Sequence, residues 1–205
     1  ERIKRKTGSY SFSALYQQDP VPASSGSFKG EWFRNVIDSP PNGLRWKRGY
    51  DLAVSTRTSA DYTASFRCTF DTKGNLYVAD GFRRRMEYPD QRRYIAERMQ
   101  NEPGTEHGIE SALHGKAVVQ DLRREPHLRR YPFREVRVED DKLTRALAWL
   151  NLAEAGKVFL VRGAWIDEFS DEVCRFPAGR FDDQVDAVSV AVSMLSTPKF
   201  EAMGF

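Results

Sequence analysis

The chain is poor in the residues that most often build a site by themselves. In 205 residues it has two cysteines, Cys68 and Cys174, and neither has a second cysteine at CxxC spacing. That excludes a disulfide framework and points to a reducing, cytoplasmic compartment. Cys68 lies in a strand-like run and reads as a small core residue rather than a nucleophile. The three histidines, His107, His114 and His127, stand at no metal-ligand spacing to the cysteines. No apolar run approaches the length of about 18 residues that a membrane span requires. The opening Glu1-Arg2-Ile3-Lys4-Arg5-Lys6 lacks the apolar stretch of a secretion signal. No GxSxG elbow is present, which disfavours acyl transfer. Gly115-Lys116-Ala117 lacks both the spacing and the hydroxyl residue of a phosphate-binding GxxxxGK(S/T) loop, so ATP hydrolysis by this chain is not expected. There is no internal repeat.

What is present is a foldable chain with balanced charge. Apolar residues make up 40% and charged residues 30%, enough for a packed core. Lys and Arg number 32 against 29 Asp and Glu, a net charge of +3 that identifies no partner. Residues 1–45 carry Ser24-Ser25-Gly26, Pro20, Pro22 and Pro40-Pro41, a loop-rich composition. Tyr10, Phe12, Leu15, Tyr16, Trp32 and Phe33 are set among them, so this segment is expected to pack its aromatics onto a folded body. We therefore divide the chain into a linker or extension over 1–45 and a domain over 46–205. The start at Glu1 rather than Met fits a piece of a longer protein.

From residue 49 the periodicity resolves. Gly49 to Ser55, Tyr62 to Phe70 and Leu76 to Phe82 read as strands, with Asp71-Thr72-Lys73-Gly74-Asn75 as the second turn of an antiparallel meander. The period then changes. Helices are expected over Pro89 to Gln100, Ala112 to Leu122, Asp140 to Ala155 and Asp182 to Leu195, and strands near Gly108 to Ser111, Phe133 to Val138 and Val158 to Val161. In the third helix Leu143, Ala146, Leu147 and Leu150 share a face and Gly156 is a fitting C-cap. Three meander strands followed by alternating helices and strands predict an α/β fold: a ribonuclease H-like mixed β-sheet flanked by helices.

Acidic residues supply the candidate chemistry. Asp51 sits inside the first predicted strand, where aspartate is disfavoured unless it faces an edge or a cleft. Glu110 precedes a helix, where a favourable charge on the helix dipole is the ordinary explanation. Asp182, Asp183 and Asp186 open the last helix at i,i+3 and i,i+4 spacings, where like charges repel. Capping explains Asp182 and Asp183. It explains Asp186 poorly, because the run that follows is nearly all apolar or small and a buried charge needs compensation. Carboxylates on two strand ends and one helix would suit hard cations such as Mg²⁺, and a pair of such ions would suit phosphodiester hydrolysis.

Two stretches together resemble the C-terminal nuclease domain of the large terminase subunit of tailed bacteriophages. One is Phe12-Ser13-Ala14-Leu15-Tyr16-Gln17-Gln18-Asp19-Pro20-Val21-Pro22 with Gly26 to Trp32 after it, similar to the segment that joins that family's ATPase domain to its nuclease. The other is the acidic set: Tyr50-Asp51-Leu52-Ala53, Gly108-Ile109-Glu110-Ser111 and Asp182-Asp183-Gln184-Val185-Asp186-Ala187. The resemblance spans nearly the whole chain. It implies a ribonuclease H-like endonuclease that cuts concatemeric double-stranded viral DNA during packaging, using Mg²⁺ or Mn²⁺, in a pair of ions. It implies Asp51 as the first-strand aspartate, Glu110 as the middle acid and Asp182 or Asp183 as the final one. Asp61 matches a recurring acidic position after the first strand, where a turn residue is the ordinary alternative. Phe181 stands where some relatives carry histidine, so no histidine ligand is expected there. The implied partners are DNA, an ATPase domain this chain lacks, the portal and the small terminase subunit. The implied location is the host cytoplasm, with no membrane.

Basic residues cluster at Arg83-Arg84-Arg85 and around Arg129 and Arg130, and Lys142 and Arg145 lie on the third predicted helix. All are candidates for phosphate contact. Nearby Glu125, Glu135, Glu139, Asp140 and Asp141 equally suit a solvated, salt-bridged face. Two other readings stay open: a resolvase- or integrase-type nuclease of the same fold, and a DNA-docking module without catalysis.

Overall fold

The computed structural model describes residues 28–54 and 62–196. In chain order its strands and helices are β1 (Val36–Ile37), β2 (Lys47–Asp51), β3 (Thr63–Phe70), β4 (Leu76–Arg84), α1 (Tyr88–Asn101), β5 (Glu106–Glu110), α2 (Leu113–Arg124), β6 (Phe133–Val136), α3 (Lys142–Glu154), β7 (Val158–Val161), α4 (Ile166–Arg175) and α5 (Asp183–Ser196). The strands form one seven-stranded sheet in the order β1-β7-β4-β3-β2-β5-β6. β2, β3 and β4 are the antiparallel meander. The pairs β1–β7, β4–β7, β2–β5 and β5–β6 are parallel, so the sheet is mixed, as the element order predicts.

Local chemistry accounts for the turns and helix ends. Gly74 takes φ +76 in the β3–β4 turn, and Asp71 Oδ1 accepts from the backbone N–H of Lys73 (2.8 Å) and Asn75 (2.9 Å). Asp141 caps α3 by accepting from Thr144 N–H (3.0 Å) and Thr144 Oγ1 (2.6 Å), which is why the helix starts at Lys142 and not at Asp140. Gly156 ends that helix region with φ +71.

The sheet separates two cores. On one face α1 and α2 bury Ile95, Met99, Val118 and Leu122 against Tyr50 of β2 and Ile109 of β5. On the other, α3, α4 and α5 bury Trp149, Phe169, Val185 and Val188 against Phe66 and Val78. Each fully buried side chain of this kind contributes about 1.5–3 kcal/mol. Trp149 Nε1 donates to Ser189 Oγ (3.0 Å), which donates to Val185 O (2.8 Å), tying α3 to α5. Cys68 is buried in this second core, as read from the sequence.

Three differences from the sequence reading have clear causes. β2 stops at Asp51 instead of running to Ser55, and Ala53 N–H turns away to Thr63 Oγ1 (3.3 Å). α4 was not expected, because its core-facing stripe of Ile166, Phe169 and Val173 is masked by four acids in ten residues. β1 is two residues long and exists by pairing with β7, which no local pattern encodes. Of the aromatics expected to pack, Phe33 is buried and meets Trp149 and Phe169 edge-on at 6.3 and 6.1 Å, and Trp32 is half-buried against the same core beside Phe28, a buried aromatic outside that set. Tyr10, Phe12, Leu15 and Tyr16 lie outside the described residues, as does the Phe12 to Pro22 stretch.

Candidate active site

β2 and β5 are parallel neighbours in the register Gly49↔Gly108 and Tyr50↔Ile109. Side chains alternate across a sheet, so Tyr50 and Ile109 enter the α1–α2 core while the flanking residues turn to the opposite face. There the two glycines let α5 approach closely. A Cβ on Gly49 would lie against Ala187 O and 2.5 Å from Ala191 N; one on Gly108 would meet Met194 Sδ and lie 2.7 Å from Val136 Cγ2. Two residues after each glycine comes an acid, Asp51 and Glu110, at the C-terminal ends of adjacent parallel strands. Ligand sites of open α/β sheets lie outside such ends.

The start of α5 reaches the same place. Asp183 and Asp186 are each 2% exposed. With Asp51, Glu110, Asp182, Lys142, Tyr62 and the Leu52–Val54 segment they line one cavity of about 160 Å³. Asp51 is held well above the ordinary carboxylate range, first by burial and then by the charges of Asp186, Glu110 and Asp183. Burial also raises Glu110, partly offset by Arg145, and raises Asp186 against the pull of Lys142 and Arg145. The acids therefore repel one another across a shared, partly dry space.

Their individual partners differ. Asp183 Oδ1 accepts from Tyr62 N–H (2.9 Å). Asp182 is half-buried, and both its oxygens accept from Lys142 Nζ (2.9 and 3.0 Å). Lys142 Nζ also lies 2.9 Å from Asp186 Oδ2. Arg145 Nη2 lies 3.0 Å from Asp186 Oδ1, and its Nη1 3.8 Å from Glu110. Lys142 and Arg145, candidate phosphate contacts by sequence, thus reach from α3 into the acids.

The remaining sequence candidates divide by location. Arg83 and Arg85 stack over Tyr62 at 3.9 and 4.1 Å, beside the cavity, and Arg83 also pairs with Glu168 (2.8 Å) and Glu172 (3.5 Å). Arg84, Arg129 and Arg130 are exposed and line no part of the cavity. Asp61 lies outside the described residues.

Sequence reasoning missed Glu172. The side chain of Asp182 was expected to cap the last helix, but it is drawn to Lys142. Glu172 of α4 takes the capping role: its Oε1 accepts from Gln184 N–H (2.7 Å) and Val185 N–H (3.4 Å), and its Oε2 from Gln184 Nε2 (2.8 Å). No local signal announces a cap donated from another helix. Glu172→Ala should cost about 1–2 kcal/mol, the worth of a helix cap, and loosen the segment that carries Asp183. A melting temperature unchanged by this substitution would count against the capping role. A second missed signal was legible: Gly49-Tyr50-Asp51 and Gly108-Ile109-Glu110 repeat a glycine–large apolar or aromatic–acid pattern.

An all-oxygen donor set from three elements, with excess negative charge, is what hard divalent cations take. Five acids face two bases here, so the chemistry fits such an ion. As they stand, no group of three or more His, Cys, Asp or Glu side chains among the described residues is gathered closely enough to hold one.

A model of the family described as terminase RNase H-like domain matches residues 48–195. The chain belongs to this family. The fold expected from the sequence, a ribonuclease H-like mixed sheet flanked by helices, is the one observed for this terminase domain. It is similar to the large terminase nuclease of the thermophilic phage G20c with bound zinc, at TM-score 0.59 and 16% identity over 81% of this chain and 96% of that one. The magnesium-bound form of that nuclease gives TM-score 0.58 and 16% identity over 84% and 98%. The yeast mitochondrial Holliday junction resolvase is similar at TM-score 0.52 and 10% identity over 77% and 80%. At these identities the likeness is one of fold. A comparison with curated proteins finds no match. Among the described residues no helix of the terminase domain is long and apolar enough to cross a membrane.

Proposed function

We propose that this terminase domain is a divalent-metal-dependent endonuclease that cuts concatemeric double-stranded DNA during viral genome packaging. One observation carries the reading: acids from β2, β5 and α5, separated by 59 or more positions in the chain, line a single cavity at the C-terminal ends of parallel strands. Asp51, Glu110 and Asp183 would hold Mg²⁺ or Mn²⁺, a pair of ions in this reading. The metal-bound forms of the similar phage nuclease support that choice of cofactor class. When bound, a divalent ion supplies positive charge for a phosphate and makes water more acidic.

The chain's own residues prepare that place. The Tyr62 N–H fixes the rotamer of Asp183, and Glu172 fixes the helix end on which it rides. Asp186 holds α3 against the site through Lys142 at Oδ2 and the ion pair with Arg145 at Oδ1, an oxygen that is buried and accepts no hydrogen bond from the described residues. Arg85 over Tyr62, with exposed Arg180 over Phe181, forms a basic aromatic rim on which a DNA backbone can lie, and Arg83, 9% exposed and paired with Glu168 and Glu172, braces Tyr62 from beneath it. Arg84 ends β4 on the same side, whereas Arg129 and Arg130 precede β6 at the His107 end of β5, the edge of the sheet opposite the acids, and stand outside this rim. The partners in this reading are DNA, an ATPase domain joined through residues 1–45, the portal and the small terminase subunit, in the host cytoplasm.

Supercoiled plasmid incubated with Mg²⁺ or Mn²⁺ should be nicked and then linearised with little sequence preference, and EDTA should stop it. The likeness to a junction resolvase motivates a parallel arm with a four-way junction. Strong preference for the junction would replace the packaging reading with a resolvase one. DNA binding without cleavage at any metal concentration would leave a docking module.

A further inference from the structure

The two cations inside the acid cluster are not equivalent. The Arg145 side chain is 11% exposed and packed, whereas that of Lys142 is 55% exposed on a flexible stem. Lys142 nevertheless brings one ammonium within 2.9–3.0 Å of three carboxylate oxygens, on Asp182 and Asp186. It lines the same cavity as Asp51, Glu110 and Asp183. An ammonium so placed repels any other cation entering that space, and its exposure leaves it free to withdraw.

We propose that Lys142 is an exchangeable internal cation that competes with the divalent ion for this site. It neutralises the opening of α5 while metal is absent and gives way when metal enters, and Arg145 remains as the fixed counter-charge. This positioning role rests on the metal-dependent reading above. It concerns metal entry, so its readout is binding and stability and not turnover.

The test is calorimetric titration of Mn²⁺ into the 205-residue chain and its variants, paired with melting curves in EDTA and in Mn²⁺. Lys142→Met keeps much of the stem and removes the charge. It should bind Mn²⁺ on the order of tenfold more tightly, because a repelling charge has left the cavity. It should also melt at a lower temperature than wild type in EDTA and regain that loss in Mn²⁺, since a ligand of the folded state alone stabilises it. Lys142→Arg keeps the charge and should bind Mn²⁺ as wild type does. Asp51→Asn, which weakens binding, identifies the titrated site. Wild-type binding that depends on Asp51 but is unchanged or weaker in Lys142→Met overturns this inference alone. No binding of Mn²⁺ to wild type overturns the metal-dependent reading and this inference with it.

Discussion

Asp51→Asn should severely reduce metal-dependent cleavage and, in the same protein, raise the melting temperature measured in EDTA. The loss of activity is expected to be about 10²–10³-fold, the size seen when one preorganised electrostatic contact is removed. The gain in stability follows from the cost of the acid. Asp51 is pressed by burial and by the charges of Asp186, Glu110 and Asp183, and asparagine fills the same volume without a charge. The pH dependence has a definite sign. Asp51, Glu110 and Asp186 all have raised folded values, so the stability they contribute is full below the unfolded carboxylate range, near about 4. It is lost as pH rises through the raised folded values. The advantage of Asp51→Asn over wild type should therefore grow from about pH 4 upward. Thermal melts of both proteins across pH, with plasmid cleavage assayed alongside, check this. A variant that cuts like wild type, or that melts lower in EDTA at neutral pH, would contradict the assignment.

Gly49→Ala should destabilise the domain severely. The added Cβ would meet the α5 backbone at Ala187 O and Ala191 N, and backbone cannot rotate aside as a side chain can. Overpacking of this kind costs about 3 kcal/mol or more where no flexible neighbour can yield. The strand and helix forced apart are those that carry Asp51 and Asp183. Denaturant melts should show the lost stability, and cleavage should fall with it even in the fraction that remains folded. Gly108→Ala offers a contrast. Its added Cβ meets the ends of the Met194 and Val136 side chains, so part of the clash can relax and the cost should be smaller. Equal tolerance at both positions would show that α5 does not depend on the approach at Gly49.

The amino-acid order alone determined the alternation of the meander, the capped third helix, and the anomaly of acids in a strand and at the head of an apolar helix. These are periodic or local features, set by side-chain spacing and turn chemistry. It also carried the repeated Gly49-Tyr50-Asp51 and Gly108-Ile109-Glu110 pattern, whose meaning needs the parallel register of β2 and β5. Only the tertiary structure decided that Lys142 and Arg145 serve carboxylates, that Glu172 caps the helix bearing Asp183, and that β1 joins the sheet through β7. Each of these joins residues far apart in the chain. The first two depend on how closely α5 lies on two glycine-bearing strands, and the third on where β7 lies near the edge of the sheet, distances that no local spacing records.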